Sequence, residues 1–385
     1  MSNILDYLDW RGDLEFSTDP INEVDNLVLS VLSYLDFAGV VPTPDESDSV
    51  SLADAAEAIK QMPDQITAPV TSAFFSRLPL LLEKCAASTR FQSLRLSHYV
   101  NRVSFDEAEQ FSALVFSMDK YTHFVSFSGT DDTLIGWKED LEMSFREVVP
   151  AQRSAVEYLD LLMSHLPGIF YLGGHSKGGN LAVFAAANIP AEMQPSVQRV
   201  FNNDGPGFQR SMLENPGYLR VIDKTVRFMP QSSVVGMLLN QSGLYQVVGS
   251  DESGVMQHDA FSWKVIGPNF VYLEGLSTGS IKFNAALREW LDNVPLEERK
   301  EFIDALFTIL EATGARTLRE FTQDKLAASK AMIASFKQLE PETQTHLKNL
   351  FETFFSEIQK MLRSSFSEEI GSLITRAFIR KRLPS

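Results

Sequence analysis

The chain has 385 residues, 44% of them hydrophobic and 22% charged. These are ordinary globular values, and the length allows one large core or two to three domains. A formal net charge of -16 repels phosphate backbones and anionic surfaces, which makes nucleic acid a poor partner.

A single cysteine, Cys85, rules out an internal disulfide and a metal site built from several cysteines, and it suits a reducing compartment. Met1 to Trp10 carries acids early and has no basic stretch leading into an apolar run, so it does not read as a signal peptide. No stretch approaches the length of uninterrupted apolar sequence that a transmembrane helix needs. The expectation is a soluble cytoplasmic protein.

Three zones follow one another. Residues 1–88 read as a helical segment. Val24, Leu27, Val28, Val31, Leu32 and Leu35 form one apolar stripe at helical spacing, stopped by Gly39 and Pro42. Pro42 to Ser49 is acidic and loop-like, and Ser51 caps a short second helix running to Met62.

Residues 89–285 mix strands and helices. Ala113 to Phe116 and Phe124 to Phe127 are short apolar or aromatic runs joined by a turn at Asp119 to Thr122. Ile169 to Leu172, Val200 to Asn202 and Val226 to Met229 read as three further strands. An Ala-rich helix, Asn180 to Asn188, lies between the first two of these and ends before Pro190. Strand, helix, strand implies an α/β protein with a mostly parallel sheet and covering helices.

Residues 286–385 read as a helical extension. Phe302, Ile303, Leu306, Ile309 and Leu310 form one stripe, ending near Gly314; Leu347, Leu350, Phe351, Phe354, Ile358, Met361 and Leu362 form another. Packing against the core is the plain reading of these stripes. Self-association or peripheral membrane contact through the C-terminal helices is the sharper one, because Phe354 and Phe355 widen the apolar face. The basic residues Arg376, Arg380, Lys381 and Arg382 read as a solvated terminus.

The chemistry centres on Gly173-Gly174-His175-Ser176-Lys177-Gly178-Gly179-Asn180. G-x-S-x-G alone is weak, but here an apolar strand leads in and an Ala-rich helix leads out, the strand-turn-helix of a nucleophile elbow. Gly174 and Gly178 remove side chains that would collide in so tight a turn. The helix then aims its N-terminal dipole, and the backbone N–H of Lys177, at a developing oxyanion. His175 reads as packing or substrate-facing rather than as the base.

The elbow resembles the G-H-S-x-G-G of the class 3 lipases, fungal-type α/β hydrolases. Phe124-Val125-Ser126-Phe127-Ser128-Gly129-Thr130 is similar to that family's strand ending in aromatic-Arg-Gly-Thr/Ser, with Ser128 in place of the arginine. Gly136-Trp137-Lys138-Glu139-Asp140-Leu141 is similar to its tryptophan-to-Asp-Leu segment. The resemblance covers roughly residues 90 to 270, and it is stronger still to a bacterial family of lipase-like proteins of unassigned function. It implies an α/β-hydrolase fold, acyl-ester or lipid substrates, no cofactor, and Thr130 as the second oxyanion donor.

A serine hydroxyl needs a base, and histidine suits proton transfer near neutral pH. The fold's order is Ser, acid, His, which leaves His258 and His346 downstream. His258, in a polar loop before an aromatic segment, is preferred. The acid departs from the class 3 pattern: the stretch that should hold aspartate reads Pro230-Gln231-Ser232-Ser233-Val234-Val235-Gly236. Asp204, in Asn203-Asp204-Gly205-Pro206-Gly207 after the preceding strand, is the replacement, against a plain turn reading. Asp223 and Asp251 are weaker substitutes, and Asp259 adjoins the histidine too closely. No metal-ligand spacing and no nucleotide fingerprint is present. The expected protein is a serine esterase or lipase; the alternative is a non-catalytic interaction protein on a hydrolase scaffold, motivated by the serine at the usual acid position and by the long helical extension.

Overall fold

The computed structural model describes residues 2–62, 74–131, 133–317 and 325–339, with a few positions between 341 and 349. Its centre is a nine-stranded sheet. In chain order the strands are β1 (Val50–Ser51), β2 (Arg95–Ser104), β3 (Glu109–Asp119), β4 (Thr122–Phe127), β5 (Ile169–His175), β6 (Val197–Asn203), β7 (Thr225–Pro230) and β8 (Tyr245–Val248). A separate ribbon pairs β9 (Val265–Ile266) with β10 (Asn269–Phe270), and β11 (Tyr272–Leu273) closes the far edge. The sheet order is β1-β2-β3-β4-β5-β6-β7-β8-β11. Strands β1 to β4 are antiparallel, β4 to β8 run parallel, and β11 returns antiparallel on β8.

Every strand expected from the sequence lies inside one of these. β2 was not anticipated, because its period-two pattern is interrupted. The register with β3 shifts between Ser97 and Val100, and His98 there takes a φ of 55°. A bulge of this kind throws the alternating side chains off their face.

The strand order decides how the sheet is covered. Strands β4 to β8 are added in one direction, so right-handed crossovers place every connecting helix on the same face. The helices Pro150–His165, Lys177–Asn188 and Pro216–Val221 pack there on Val115, Val125, Phe127, Leu172 and Val200. The opposite face would be bare. The N-terminal zone covers it, burying Tyr7, Val24, Leu27, Val28 and Val31 against Leu114, Phe116, Phe124 and Phe228. The zone read as an N-terminal helical segment therefore shares one core with the sheet.

The expected stripe is the helix Glu23–Leu32, with Asn22 and Asp25 forming a capping box. It ends at Leu32, and Leu35 remains buried beyond it. Gly173 lets this helix lie directly on β5, since a Cβ would come within 2.6 Å of Asn26 Oδ1 and of the Phe124 ring. Two buried polar clusters fix it. Asn26 Nδ2 donates to Asn203 Oδ1 at 2.9 Å and Asn203 Nδ2 to the Gly174 carbonyl at 3.0 Å. Arg90 grips Asp25 through Nε at 2.8 Å and Nη2 at 2.5 Å, and Tyr7 donates to the same carboxylate at 2.8 Å. Ser51 caps the short helix Leu52–Lys60, as its position suggests.

The C-terminal helices begin earlier than expected, at Thr278. Thr278–Asn293 and Leu296–Glu311 form a pair with small apolar clusters of its own: Trp290 with Val294, and Ile303 and Phe307 with Leu134. Leu134 N–H donates to the Arg316 carbonyl at 2.8 Å and Arg299 Nη1 to the Ser144 carbonyl at 2.7 Å, which holds the pair to the body. The second stripe, from Leu347 to Leu362, with Phe355, His346 and the basic tail, lies outside the described residues. No described helix is long and apolar enough to cross a membrane.

Candidate active site

β5 runs straight into a turn at Ser176, whose backbone takes φ 57° and ψ −131°, and the helix Lys177–Asn188 starts at the next residue. A serine with positive φ is strained. The turn is held by Ser176 N–H donating to the Asn203 carbonyl at 2.9 Å. A Cβ on Gly174 would collide with Gly178, and one on Gly178 with the Phe127 carbonyl. Strand, helix and β4 thus meet backbone to backbone, which only glycine permits.

Asp204 follows β6 and also has positive φ, 54°. It is fully buried. Its Oδ2 lies 2.6 Å from Nδ1 of His258, which sits on the short helical turn Gly254–His258. Its Oδ1 accepts from Ser233 Oγ at 2.5 Å and from Gly236 N–H at 3.1 Å. Ser233, where the resemblance to class 3 lipases leads one to expect an aspartate, therefore donates to Asp204. With Nδ1–H directed at the carboxylate, Nε2 of His258 carries the free lone pair that a base needs. Asp251 and Asp259 are engaged elsewhere, by Lys264 at 3.1 Å and by Arg77.

His175 is buried beside this pair. Its Nε2 lies 2.8 Å from the His258 carbonyl; a carbonyl only accepts, so Nε2 carries the proton. Nδ1 then accepts from the Tyr34 hydroxyl at 3.0 Å. The ring stacks on Phe74 at 5.8 Å and lies 4.6 Å from the His258 ring. Burial, and next the neighbouring His258, hold its pKa well below the usual histidine value. It is a neutral strut between the elbow and the His258 loop that also lines the cavity beside Ser176. Tyr34 and Phe74, both from the N-terminal zone, gave no sequence signal of a place at the site.

Thr130 follows β4, and its hydroxyl donates to Asp140 Oδ2 at 2.5 Å. Burial pushes the Asp140 carboxyl up to about 6, against the pull of the Lys177 charge and of this hydrogen bond. Lys177 has its backbone at the helix start and its side chain buried. Nζ donates to the Gln110 carbonyl at 2.8 Å, to Gln110 Oε1 at 2.5 Å and to Glu139 Oε2 at 3.0 Å. Burial disfavours its charge, but the Glu139 and Asp140 carboxylates outweigh that and raise its pKa. Glu139 and Asp140 belong to the helix Leu134–Glu142. The tryptophan-to-Asp-Leu segment marked this region, although the sequence reading gave neither acid a role.

Ser176, His258, Thr130 and Asp140 all line one cavity of about 750 Å³. Its surface is overwhelmingly apolar, with Trp137 and Leu141 from the helix Leu134–Glu142, Met256 from the turn that carries His258, and Leu291, Ile303 and Leu306 from the C-terminal pair. The structure thus brings Ser176, His258, Asp204, Lys177 and Thr130 to one place. Among the described residues no group of His, Cys, Asp and Glu is arranged to hold a metal ion.

Several solved structures are similar at low identity. The M37 lipase matches at 16% identity and a TM-score of 0.33, over 56% of this chain and 69% of that one. A mutant form of MDLA from Penicillium cyclopium matches at 13% and 0.37, over 65% and 86%. The Rhizomucor miehei lipase in its propeptide complex matches at 13% and 0.31, over 53% and 71%. No curated protein sequence matches. The model of the Mbeg1-like family matches residues 85–308, more than half of the chain and the whole of the sheet beyond β1. With this match over more than half of its length the chain belongs to the Mbeg1-like family, and its parallel strands with the strand-turn-helix at Ser176 give it the α/β-hydrolase fold.

Proposed function

We propose that this protein is a serine hydrolase that cleaves carboxylic esters through an acyl-serine intermediate. The observation that carries the reading is the 2.6 Å Asp204–His258 pair, whose imidazole lines the same cavity as Ser176 on its strained turn. Ser176 Oγ attacks the ester carbonyl carbon while His258 Nε2 takes its proton. Asp204 holds the tautomer and stabilises the imidazolium. The oxyanion is met by the backbone N–H of Lys177 and by Thr130, whose hydroxyl is already turned to Asp140, leaving its backbone N–H as the donor. His258 then protonates the leaving alcohol, and a water activated by the same imidazole releases the acid.

The apolar cavity supports an acyl ester or lipid as the small-molecule substrate, and a thioester would follow the same course. A lone, buried Cys85 suits work in a reducing compartment such as the cytoplasm. The serine at the usual acid position, one of the two motives for the non-catalytic alternative, is a hydrogen-bond donor to Asp204, which supports the catalytic reading.

A fluorophosphonate probe tests the proposal. Wild type is expected to label and Ser176→Ala not to; an unlabelled wild type beside a labelled control hydrolase sinks the reading. Asp204→Asn is expected to lower turnover on a nitrophenyl ester by about 10⁴, and near-normal turnover would move the acid elsewhere.

A further inference from the structure

We propose that the Lys177 side chain is a positioning residue for the oxyanion hole, a charged strut that ties the two donor-bearing backbones together. The inference rests on the hydrolase reading above. The residue after the nucleophile turns its side chain inward, 1% exposed, and each ammonium hydrogen has an acceptor.

Two arms leave the ammonium. One runs through the Gln110 side chain on β3, whose Nε2 reaches the Gly129 carbonyl at 3.5 Å, one residue before Thr130. The other runs through Glu139. That carboxylate also accepts from Gln110 N–H at 3.1 Å and from Ala151 N–H at 2.7 Å, so it is pinned from three directions. Asp140, the next residue, holds the Thr130 hydroxyl. The N–H of Lys177, at its helix start, and the Thr130 backbone after β4 are thus joined through one side chain.

Stability does not require this arrangement. Burying an ion pair costs desolvation that the Coulomb attraction only about recovers, and an apolar pair of similar volume is often as stable or more so. A strut does explain it, because oxyanion donors work only at defined distances. Losing one donor costs about 10²–10³ in turnover, and a displacement of about 1 Å has a comparable effect.

The test compares wild type, Lys177→Met and the double variant Lys177→Met/Glu139→Gln by ester kinetics, fluorophosphonate labelling rate and thermal unfolding. The single variant is expected to lose stability, because Glu139 is left buried and unpaired. In the double variant stability is expected to recover, while kcat stays about 10² down with KM within about threefold, and labelling slows in step with kcat. Recovery of kcat together with stability, or a folded single variant with kcat within about threefold of wild type, overturns the inference. If neither variant folds, Gln110→Leu decides: it cuts the arm to Gly129 while Lys177 keeps two acceptors. A kcat loss of about tenfold at unchanged unfolding temperature supports the strut, and no loss overturns it. A wild type that neither turns over nor labels removes the hydrolase reading itself, and this inference with it.

Discussion

Two helical regions flank the same sheet and are built to different standards. In the N-terminal helix Glu23–Leu32 every residue after the first is buried, polar ones included, and its polar groups are matched to partners in β6, Tyr7 and the Arg90 segment. In the C-terminal pair only Ser280, Asn284 and Trp290 of the first helix and Ile303, Ala305, Phe307 and Ile309 of the second are buried, and they form satellite clusters instead of joining the main core. The difference teaches that helices outside the central α/β pattern need not share a role. The first group completes a sheet that its own crossovers leave half naked. The second stands over the cavity and supplies one of its walls.

The comparison is open to breakage. The largest effect is expected at the N-terminal buried ion pair. Arg90→Met leaves Asp25 uncompensated in a site with no solvent access, and urea unfolding should register a loss of about 3–5 kcal/mol. An unchanged midpoint would mean that the N-terminal cover is not part of the core. Ile303→Ala, in the cluster with Leu134 and Phe307, is expected near the low end for such truncations, about 2 kcal/mol. If it costs as much as Leu27→Ala, the C-terminal pair is core as well. On graded nitrophenyl esters, Leu291→Trp should penalise long acyl chains by about tenfold or more relative to short ones, and an unaltered chain-length profile would remove this wall from the binding site.

The smallest effect concerns pH. The folded pKa of His175 is held below its unfolded value of 6.5, so the unfolded chain binds the extra proton. The contribution of neutral His175 is complete above about 6.5 and is lost as pH falls below it, with a slope of at most about 1.4 kcal/mol per pH unit. His98 and His123 share this direction. The carboxyl of Asp140, raised to about 6, acts oppositely and gains stability as pH falls through that value. The quantity to measure is therefore the difference in slope between wild type and His175→Gln. Equal slopes would show that the elbow histidine takes its proton freely and does not join the N-terminal zone to the base loop as a neutral strut.

Much of the site was legible in the residues themselves. The glycines around Ser176 declare a tight strand-to-helix turn, because any side chain there meets backbone. His258 and Asp204 came through the resemblance to the hydrolase pattern, which supplied the chain order and put Ser233 where a class 3 lipase has its aspartate. β2 was hidden because a bulge at Ser97 to Val100 erases its alternation. Asp140 and Glu139 sat inside a recognised segment, but nothing in their spacing says that one holds Thr130 and the other Lys177. Tyr34 and Phe74 were invisible for a simpler reason: aromatic residues in a helical zone read as core, and only docking on the sheet brings them to His175.

What the sequence determined by itself was local and periodic: the strands β3 to β7, the tight turn at Ser176 and the apolar stripe of the Glu23–Leu32 helix. These follow from backbone sterics and side-chain periodicity, which act over a few residues. Only the tertiary structure decided that the N-terminal stripe covers the face left open by one-directional crossovers, that Asp204 meets His258 across more than fifty residues of chain, and that Lys177 turns inward to Glu139. Those outcomes depend on which surfaces exclude water together, and on where a buried charge finds its partner, and neither is written in the spacing of any one segment.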